Sequence, residues 1–328
     1  MPHRLKNKKV LITGGAGFIG SSLCDAFLKS GNEVVCLDNL ATGFKNNISH
    51  LLSDGNFLFV EGDIRHFETC KKAMEGVDIV LHQAALGSVP RSIADPLTTN
   101  EVNITGFLNV LHAAKEQGVK RVVYAASSST YGDSNELPKI EEHIGKPLSP
   151  YAVTKYVNEL YAQVYGDLFG MEIIGLRYFN VFGKRQTPDG AYAAAIPRFI
   201  SAFIQHQSPV IHGDGLQTRD FTYIENVVQI NHLAATVERQ DALNQVYNVA
   251  YGERTTLINL IEEIREALIP FDPEIAMVEL EYGPARKGDV RDSLADLSKA
   301  RKLLGYAPTH SLKAGIKEAM EWYWESLK

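Results

Sequence analysis

The chain has 328 residues, of which 45% are hydrophobic, so it can bury one large core or two modest ones. Its formal net charge of -6 excludes the basic field that a nucleic-acid-binding protein needs. The three cysteines form no C-x-x-C pair, and we expect them to be small core residues. No apolar run approaches the length of a membrane span, so the sequence predicts a cytoplasmic protein without a membrane or nucleic-acid partner.

The first predicted element is a short buried strand at 10–12, which breaks into the run Gly14-Gly-Ala-Gly-Phe-Ile-Gly20 and then into a helical pattern. Such a turn brings the backbone close to a pyrophosphate, and the helix that follows offers its free N–H groups to the anion. Ordinary strands also end in glycine-rich turns, which is the structural alternative. The residues expected at the anion are Gly14, Gly17, Phe18, Ile19 and Gly20.

A second apolar strand at 34–37 ends at Asp38, which is followed by Asn39. A carboxylate in this place accepts the two ribose hydroxyls of an adenosine. It also repels a 2′-phosphate, and Asn39 and Leu40 supply no arginine to receive one. The sequence therefore predicts a dinucleotide site for NAD rather than NADP.

Strand and helix patterns alternate through the first half of the chain, which predicts an α/β fold with a Rossmann-type doubly wound parallel sheet. The further elements are strands at 57–60, 78–82, 121–126 and 172–177, and helices at 97–117 and 150–169. Ligands gather at the carboxyl ends of such strands. The residues expected at these ends are Asp63, Gln83, Ala84, Ala85, Ser127 and Tyr178.

Beyond residue 180 the alternation loosens, so we place the dinucleotide-binding domain at 1–180 and a smaller, mainly substrate-binding lobe at 181–328. A strand pattern at 246–250 and helical patterns at 256–268 and 311–324 resemble those of the first half. We therefore expect the lobe to be interleaved, with some of its segments returning to the sheet.

Tyr151 and Lys155 lie four residues apart, on one face of the helix predicted at 150–169. A free tyrosine ionises near pH ~10, but an adjacent ammonium and the positive ring of an oxidised nicotinamide both favour the phenolate. The alternative is an amphipathic helix with the tyrosine inward and the lysine outward. Ser127, Ser128 and Ser129 end the preceding strand, where one of them could relay a proton or simply serve a turn. The sequence does not rank the three serines.

Together, the glycine turn, Asp38, the serine cluster, the Tyr151/Lys155 pair and the segment Leu176-Arg-Tyr-Phe-Asn180 resemble the extended short-chain dehydrogenase/reductases. Within that superfamily the whole chain is similar to the UDP-sugar 4-epimerases. The resemblance implies a tightly held NAD that is reduced and reoxidised in each turnover, a UDP-sugar in the C-terminal lobe, and a homodimer built on a helix bundle. It also implies NAD contacts at Asn39, Asp63, Ile64, Gln83, Ala84, Ala85, Asn103, Lys155 and Tyr178.

The same resemblance implies that Asn180 holds the sugar diphosphate and that Arg219 and Arg286 clamp its phosphates. Guanidinium groups suit phosphate geometry, although these arginines could instead pair with Asp220 and Asp289 at the surface. Small residues beside the clamp would leave room for a sugar that must turn over. The further residues expected at the substrate are Gly87, Ser88, Ala194, Asp289 and Ser293.

Two rival functions remain open at this point. Related 4,6-dehydratases and decarboxylases carry a carboxylate soon after the strand-end serine or threonine, whereas here Asp133 comes only after the turn. This departure favours simple epimerisation. A non-catalytic NAD-binding sensor is the rival of another class, and the presence of Tyr151 and Lys155 argues against it.

The preferred sugar depends on residue 293. Relatives restricted to UDP-glucose and UDP-galactose carry a large aromatic residue at the position that matches Ser293. A serine there leaves room for an acetamido group, although Ser293 could merely begin a polar turn. The sequence therefore predicts UDP-GlcNAc and UDP-GalNAc, or their uronic acid forms, with UDP-glucose or UDP-glucuronate as the alternative substrates.

Overall fold

The computed structural model describes residues 4–188, 194–284 and 291–328. In chain order the strands are β1 (Lys9–Thr13), β2 (Glu33–Asp38), β3 (Phe57–Glu61), β4 (Ile79–His82), β5 (Arg121–Ser127), β6 (Glu172–Tyr178), β7 (Val181–Phe182), β8 (Val210–His212), β9 (Thr218–Arg219), β10 (Thr222–Tyr223), β11 (Gln245–Val249), β12 (Thr255–Thr256) and β13 (Glu281–Gly283). The helices are α1 (Phe18–Lys29), α2 (Phe67–Ala73), α3 (Val89–Ala94), α4 (Pro96–Asn100), α5 (Gly106–Glu116), α6 (Pro150–Phe169), α7 (Ala195–Ile204), α8 (Ile224–Thr236), α9 (Leu257–Leu268), α10 (Ser298–Leu304) and α11 (Leu312–Leu327).

Seven strands form one parallel sheet in the order β3-β2-β1-β4-β5-β6-β11. The chain moves outward from β1 in one direction through β2 and β3, then returns to the other side of β1 with β4. Connections therefore diverge at the β1–β4 boundary and leave a crevice at the carboxyl ends of these strands. The predicted Rossmann-type sheet is confirmed.

Both faces of the sheet are covered, which explains why its strands read as continuous apolar runs. Val10 and Ile12 of β1 lie on one face, in a core that also contains Phe27 of α1. Leu11 lies on the other face, in a second core with Phe107 of α5. All three cysteines are buried with free thiols, as expected of small core residues.

The second half of the chain shares the first of these cores. Phe199 of α7, Ile261 of α9 and Ile316 of α11 belong to the same apolar cluster as the face of the sheet that carries Val10. Strand β11 pairs with β6 as the seventh strand of the sheet. The lobe is therefore continuous with the sheet through a common core.

The helix predicted at 97–117 differs from the structure in its first half. Its backbone begins as α4 at Pro96, widens into a π-helical turn at Glu101–Thr105, and resumes as α5 at Gly106. Inserted π-turns are frequent at functional sites, and the apolar period of the sequence does not reveal them. No helix in the described part of the chain is long and apolar enough to cross a membrane.

Candidate functional site

The glycine turn after β1 closes against the end of β4. Gly14 has a φ of +68°, and a Cβ on it would lie 2.7 Å from the backbone nitrogen of Ala84. A Cβ on Gly20 would collide with the carbonyl oxygen of Gly14, so α1 can begin this close to the turn only with glycine there. Gly17 caps α1 without a side-chain hydrogen bond. No side chain caps the first-turn N–H groups at Phe18 and Ile19, and their contact with an anion stays a prediction.

Asp38 closes the other side of this turn. Its carboxylate accepts hydrogen bonds from Ala16 N at 3.0 Å and from Leu40 N at 2.8 Å. Burial raises the pKa of Asp38, although these backbone donors act in the opposite direction. Each carboxylate oxygen keeps a second lone pair, so Asp38 can hold the turn and still accept a hydroxyl.

Asp63 lies beside Asp38 at the carboxyl edge, beyond the end of β3. Asn39 donates to its Oδ2 at 2.8 Å, and Arg65 forms an ion pair with the same oxygen at 2.8 Å. Hydrogen bonding from Arg65 lowers the pKa of Asp63 to about 2. Ile64 is buried in the core beneath Gly106, where a side chain on that glycine would not fit. The structure thus brings Asn39, Asp63 and Ile64 to one end of the crevice.

Gln83 and Tyr178 meet in the middle of the crevice, beyond β4 and β6. The Tyr178 hydroxyl donates to Gln83 Oε1 at 3.3 Å and accepts from Asn231 Nδ2 at 2.9 Å. Burial raises the pKa of Tyr178, so the phenol stays protonated. Gln83 Nε2 is buried and has no hydrogen-bond partner among the described residues. Ala84 and Ala85 follow Gln83 and are partly buried.

The predicted reactive pair lies on α6, next to the end of β5, with Tyr151 in the first turn of the helix and Lys155 in the second. Ser149 caps this helix by accepting from Ala152 N at 3.2 Å, and Pro150 suits its first position. This start places Tyr151 against Ser127, the last residue of β5. Burial raises the pKa of Tyr151, and the Ser127 hydroxyl lowers it in part.

The structure separates the three serines that the sequence left unranked. Ser127 is 8% exposed, and it is the serine whose hydroxyl lowers the pKa of Tyr151 by hydrogen bonding to the phenol. Ser129 Oγ donates to Ser127 Oγ at 2.9 Å. Ser128 begins the short 3-10 turn Ser128–Tyr131. The geometry therefore favours Ser127 as the relay, with Ser129 behind it.

Lys155 is buried one turn below Tyr151. Its ammonium donates to the carbonyl of Ala125 at 2.8 Å and lies 6.0 Å from the centre of the Tyr151 ring. Burial lowers the pKa of Lys155 to about 8, although the charge of Glu159 raises it. The sequence alternative, with the lysine extended outward into solvent, is wrong because β5 holds its amine inside.

Asn103 lies in the π-helical turn and bridges the loop after β4 to the reactive helix. It accepts from Leu86 N at 2.8 Å, and its amide donates to Leu86 O at 3.1 Å and to Thr154 Oγ1 at 3.1 Å. Both amide hydrogens are thus engaged within the protein. Asn103 thus holds Thr154, three residues after Tyr151, in place. Its contact with NAD stays a prediction, and only the second lone pair of its side-chain oxygen is left to make that contact.

A second feature of the site is a cleft of about 240 Å³ between the end of β6 and the C-terminal lobe. Asn180, Ala194 and Arg219, three of the predicted substrate residues, line it. Apolar walls face these polar groups, formed by Val181, Phe182, Phe199, Phe221 and Leu257. Because Asn180 follows Tyr178 by two residues, the cleft begins where the crevice of the sheet ends.

Arg219 does not pair with Asp220, so the surface ion pair considered from the sequence is wrong for these two residues. Arg219 Nη1 donates to the carbonyls of Thr218 at 2.8 Å and Arg291 at 3.2 Å. Asp220 is fully buried and turns away, and its carboxylate accepts backbone N–H groups instead. Arg219 itself lines the cleft.

The remaining predicted substrate residues do not line this cleft or lie outside the described residues. Gly87 is exposed, and a Cβ there would meet nothing within 4 Å, while Ser88 adopts a φ of +92°. Ser293 N donates to Thr218 O at 3.2 Å, so Ser293 lies beside β9 rather than among the residues that line the cleft. Arg286 and Asp289 lie outside the described residues.

Sequence reasoning missed two groups in the cleft. Arg198 of α7 adds a second guanidinium to the cleft that contains Arg219, and His212 faces them from β8. The position of Arg198 one turn after the predicted Ala194 is the signal that could have located it. Two arginines in one cleft supply the local positive charge that a protein of net charge -6 needs for an anionic substrate.

The residues at the crevice fit NAD. The backbone turn at Gly14 and Gly20 leaves no room for side chains at these two positions, and α1 begins beside it. Asp38 stands at the ribose end, and the unpartnered Gln83 amide lies near Tyr178. Backbone donors, a carboxylate and a buried amide match the pyrophosphate, ribose and nicotinamide ends of a dinucleotide.

Comparison with known proteins places these features in context. The family model described as the NAD dependent epimerase/dehydratase family matches residues 10–250. The solved UDP-N-acetylglucosamine 4-epimerase of Methanobrevibacter ruminantium, in complex with UDP-N-acetylmuramic acid, is 36% identical with a TM-score of 0.91. That alignment covers 98% of this chain and 100% of the other.

Two further solved structures are similar over the same extent. The UDP-glucose 4-epimerase of Thermotoga maritima with UDP-glucose is 34% identical with a TM-score of 0.89, covering 98% of this chain and 100% of the other. The UDP-glucuronic acid 4-epimerase of Bacillus cereus with UDP-glucuronic acid and NAD is 32% identical with a TM-score of 0.86, again covering 98% and 100%. These three neighbours are named for three different sugars.

The buried ammonium of Lys155 predicts a pH-dependent difference in stability. The pKa is about 8 in the folded protein but about 10.4 in an unfolded chain. Between these two pH values the folded state binds fewer protons than the unfolded chain, so the free energy of unfolding rises with pH. Below pH ~8 both states are protonated, and the full cost of burying the ammonium destabilises the fold. Lys155→Met should unfold at an equal or higher temperature than the parent at pH 7 and lose this advantage by pH 10.

Thermal unfolding of both proteins at pH 7 and pH 10 measures this difference. Lys115→Met, which removes an exposed ammonium from α5, is the matched control and should show no such trend. If Lys155→Met is markedly less stable than the control at pH 7, the ammonium contributes to folding and the argument from burial is wrong.

Proposed function

The chain belongs to the NAD-dependent epimerase/dehydratase family, and we propose that it is a UDP-sugar 4-epimerase that inverts C4 through a transient 4-keto sugar. The observation that carries the proposal is the position of Tyr151. Its phenol lies against Ser127 and above the buried ammonium of Lys155, at the edge of the sheet where the cleft of Asn180 and Arg219 begins.

The division of labour follows from these positions. Tyr151 takes the proton of the sugar 4-hydroxyl through Ser127 and, once the 4-keto sugar has turned over, returns it to the same oxygen. NAD, when bound, supplies a hydride acceptor and a positive charge beside the phenol. That charge is needed, because burial raises the pKa of Tyr151 in the protein itself. Lys155, fixed by Ala125, contributes a second positive charge at constant distance.

Inversion requires a firm hold on the nucleotide and a loose hold on the sugar. Arg198 and Arg219 lie together in the cleft, where guanidinium groups suit a diphosphate. Gly87 has no side chain and is exposed, so it imposes no steric limit on a sugar bound beside it. A 4-keto sugar can then turn about its diphosphate bond while the nucleotide stays bound.

Epimerisation is favoured over dehydration by the place of Asp133. Its carboxylate is exposed and accepts from Lys146 N at 2.7 Å, which ties it into its own loop. A dehydratase acid must reach C5 or C6 of the sugar, and Asp133 is committed elsewhere. The proposal therefore keeps to proton and hydride transfer at C4.

Replacing Tyr151 by Phe tests the proposed chemistry. The parent should interconvert the C4 epimers of a UDP-sugar, and Tyr151→Phe should lower kcat by at least about 10²-fold because it removes the positioned acid–base group. UDP-sugar affinity should change little. Tyr161→Phe, a change of the same type elsewhere on α6, is the control and should keep near-full activity.

The result is decided by chromatographic separation of the epimers together with calorimetric binding of the UDP-sugar. Near-full activity of Tyr151→Phe would contradict the assignment of the base. A parent protein that binds NAD and turns over no UDP-sugar would instead favour the non-catalytic sensor.

The proposal includes a preference for UDP-GlcNAc and UDP-GalNAc, or for their uronic acid forms. It rests on the resemblance that matches Ser293 to a wall of the sugar pocket. It is supported by the bond of Ser293 N to Thr218 O at 3.2 Å, because Thr218 precedes Arg219, which lines the cleft. The similar structures named for UDP-N-acetylglucosamine, UDP-glucose and UDP-glucuronic acid leave all three sugars as candidates. A cytoplasmic location remains a prediction of the sequence.

Ser293→Tyr tests this preference. A tyrosine adds a ring where the acetamido group is expected, so kcat/KM for the N-acetylated pair should fall by about 10-fold or more while that for UDP-glucose changes little. Ser298→Tyr, at the exposed start of α10, is the control for adding a ring. The measurement is kcat/KM for all three substrate pairs with one preparation. A parent protein that prefers UDP-glucose to UDP-GlcNAc would refute the proposed preference.

A homodimer is also part of the proposal. Helix α6 carries an apolar stripe on its solvent face, in which Val153, Leu160, Val164 and Leu168 are 46%, 46%, 47% and 70% exposed. These residues repeat at helical spacing, so they form one face that a second copy could cover. Sedimentation equilibrium should show twice the chain mass of 36.3 kDa for the parent. Leu160→Glu with Leu168→Glu should give monomers, and a monomeric parent would refute the proposal.

A further inference from the structure

Asp220 is a buried carboxylate that the proposed chemistry does not use. Its side chain is fully buried although the preceding residue, Arg219, lines the cleft. Oδ1 accepts from Tyr251 N at 3.2 Å and Gly252 N at 3.1 Å, and Oδ2 accepts from Gly252 N at 3.2 Å and Ala295 N at 3.2 Å. One side chain therefore satisfies backbone donors from two distant segments.

These bonds join three parts of the lobe. Asp220 follows β9, its Oδ1 partners belong to the loop at 250–253, and Ala295 belongs to the segment 291–297, which we call the strap. The strap is also bound to β9 through Thr218, whose N–H donates to Arg291 O at 3.0 Å and whose hydroxyl donates to Asp292 Oδ1 at 2.6 Å. Asp220 thus adds the inner attachment to a strap that Thr218 holds at its outer end.

The groups assembled around Asp220 are those predicted to hold the substrate. Asn180 Nδ2 donates to the Asp220 carbonyl at 3.0 Å. Arg219 and Phe221, its neighbours in the chain, both line the cleft. Ser293 lies in the strap, two residues before the Ala295 N–H that Asp220 accepts. Asp220 therefore lies behind the wall of the cleft, in contact with Asn180 and with the strap that carries Ser293.

The stability of the fold does not by itself account for a carboxylate at position 220. Burial raises the pKa of Asp220 to about 6, and the backbone donors of Ala295, Gly252 and Tyr251 offset this only in part. A buried ionisable group costs free energy that an apolar residue would not. What a carboxylate provides is two acceptor oxygens with four lone-pair sites, enough for donors from both segments at once.

We propose that Asp220 is a positioning residue that sets the geometry of the nucleotide-sugar cleft, by holding the 250–253 loop and the strap against β9. Through these bonds it fixes Asn180, Arg219 and Ser293 relative to one another. The inference rests on the proposed function for its substrate, but the arrangement that it describes also governs the binding of a nucleoside diphosphate without chemistry.

The test is Asp220→Asn in the full-length protein saturated with NAD. Asparagine keeps one acceptor oxygen and turns an N–H donor toward the backbone N–H groups of the strap or the loop. We expect KM for the UDP-sugar to rise at least about 10-fold, the scale of one lost hydrogen bond to a charged group. The value of kcat should stay within about 3-fold and NAD content should be unchanged, because Tyr151, Lys155 and Asp38 are bound elsewhere.

Asp296→Asn is the matched control. It removes the same charge from a residue of the strap itself. Among the described residues the Asp296 carboxylate accepts only Ser298 N, at 2.7 Å, so this variant is expected to leave KM unchanged. Calorimetry with UDP alone supplies a readout that a merely structural role would not move. The dissociation constant for UDP should rise in parallel with KM in Asp220→Asn, whereas general destabilisation lowers the melting temperature and the active fraction but leaves KM and this constant unchanged.

Each outcome decides the inference. If KM and the UDP dissociation constant of Asp220→Asn match those of the parent, or if the parent does not bind UDP, the inference is wrong. A parent that binds UDP but epimerises no UDP-sugar refutes only the proposed function, and the UDP constants still test Asp220. If Asp220→Asn does not fold, Ala295→Pro removes the same bond from the side of the strap, and an unchanged UDP constant in that variant overturns the inference.

Discussion

The close approach of two backbones, at Gly14 after β1 and at Ala84 after β4, is the constraint on which the rest of the site depends. A side chain on Gly14 would lie 2.7 Å from Ala84 N, so the two strand ends meet only because glycine occupies this place. Here the chain changes direction across the sheet, and the connections above β1 and β4 diverge. The resulting crevice is deep because nothing larger than a backbone lies at its floor.

The buried charges at this edge are held by backbone groups. Lys155 donates to Ala125 O, Asp38 accepts from Ala16 N and Leu40 N, and Asp220 accepts from Tyr251, Gly252 and Ala295. A backbone partner belongs to a strand or turn whose position the sheet has already set. Each charged group is therefore held in a fixed position by its hydrogen bonds. Its burial costs desolvation free energy and shifts its pKa.

Those features that depend on neighbours in the chain were predictable. The strands were recognised from apolar runs because both faces of the sheet are covered, and the backbone turn from the spacing of its glycines. Tyr151 and Lys155 were recognised from a four-residue spacing on α6. The priority of Ser127 over Ser129, the second arginine at 198 and the inward turn of Asp220 escaped prediction. Each depends on contacts between segments tens of residues apart.

The sequence by itself determined the parallel sheet and the glycine turn and pointed to Tyr151 and Lys155 as the proposed acid–base pair, since these follow from local periodicity and from residues at strand ends. Only the tertiary structure decided that β11 pairs with β6 as the last strand of the sheet, that Lys155 points inward, and that the strap lies against β9. Those outcomes follow from burial and hydrogen bonding between distant segments. A local pattern does not encode them, because the partner of each group is known only once the chain has folded.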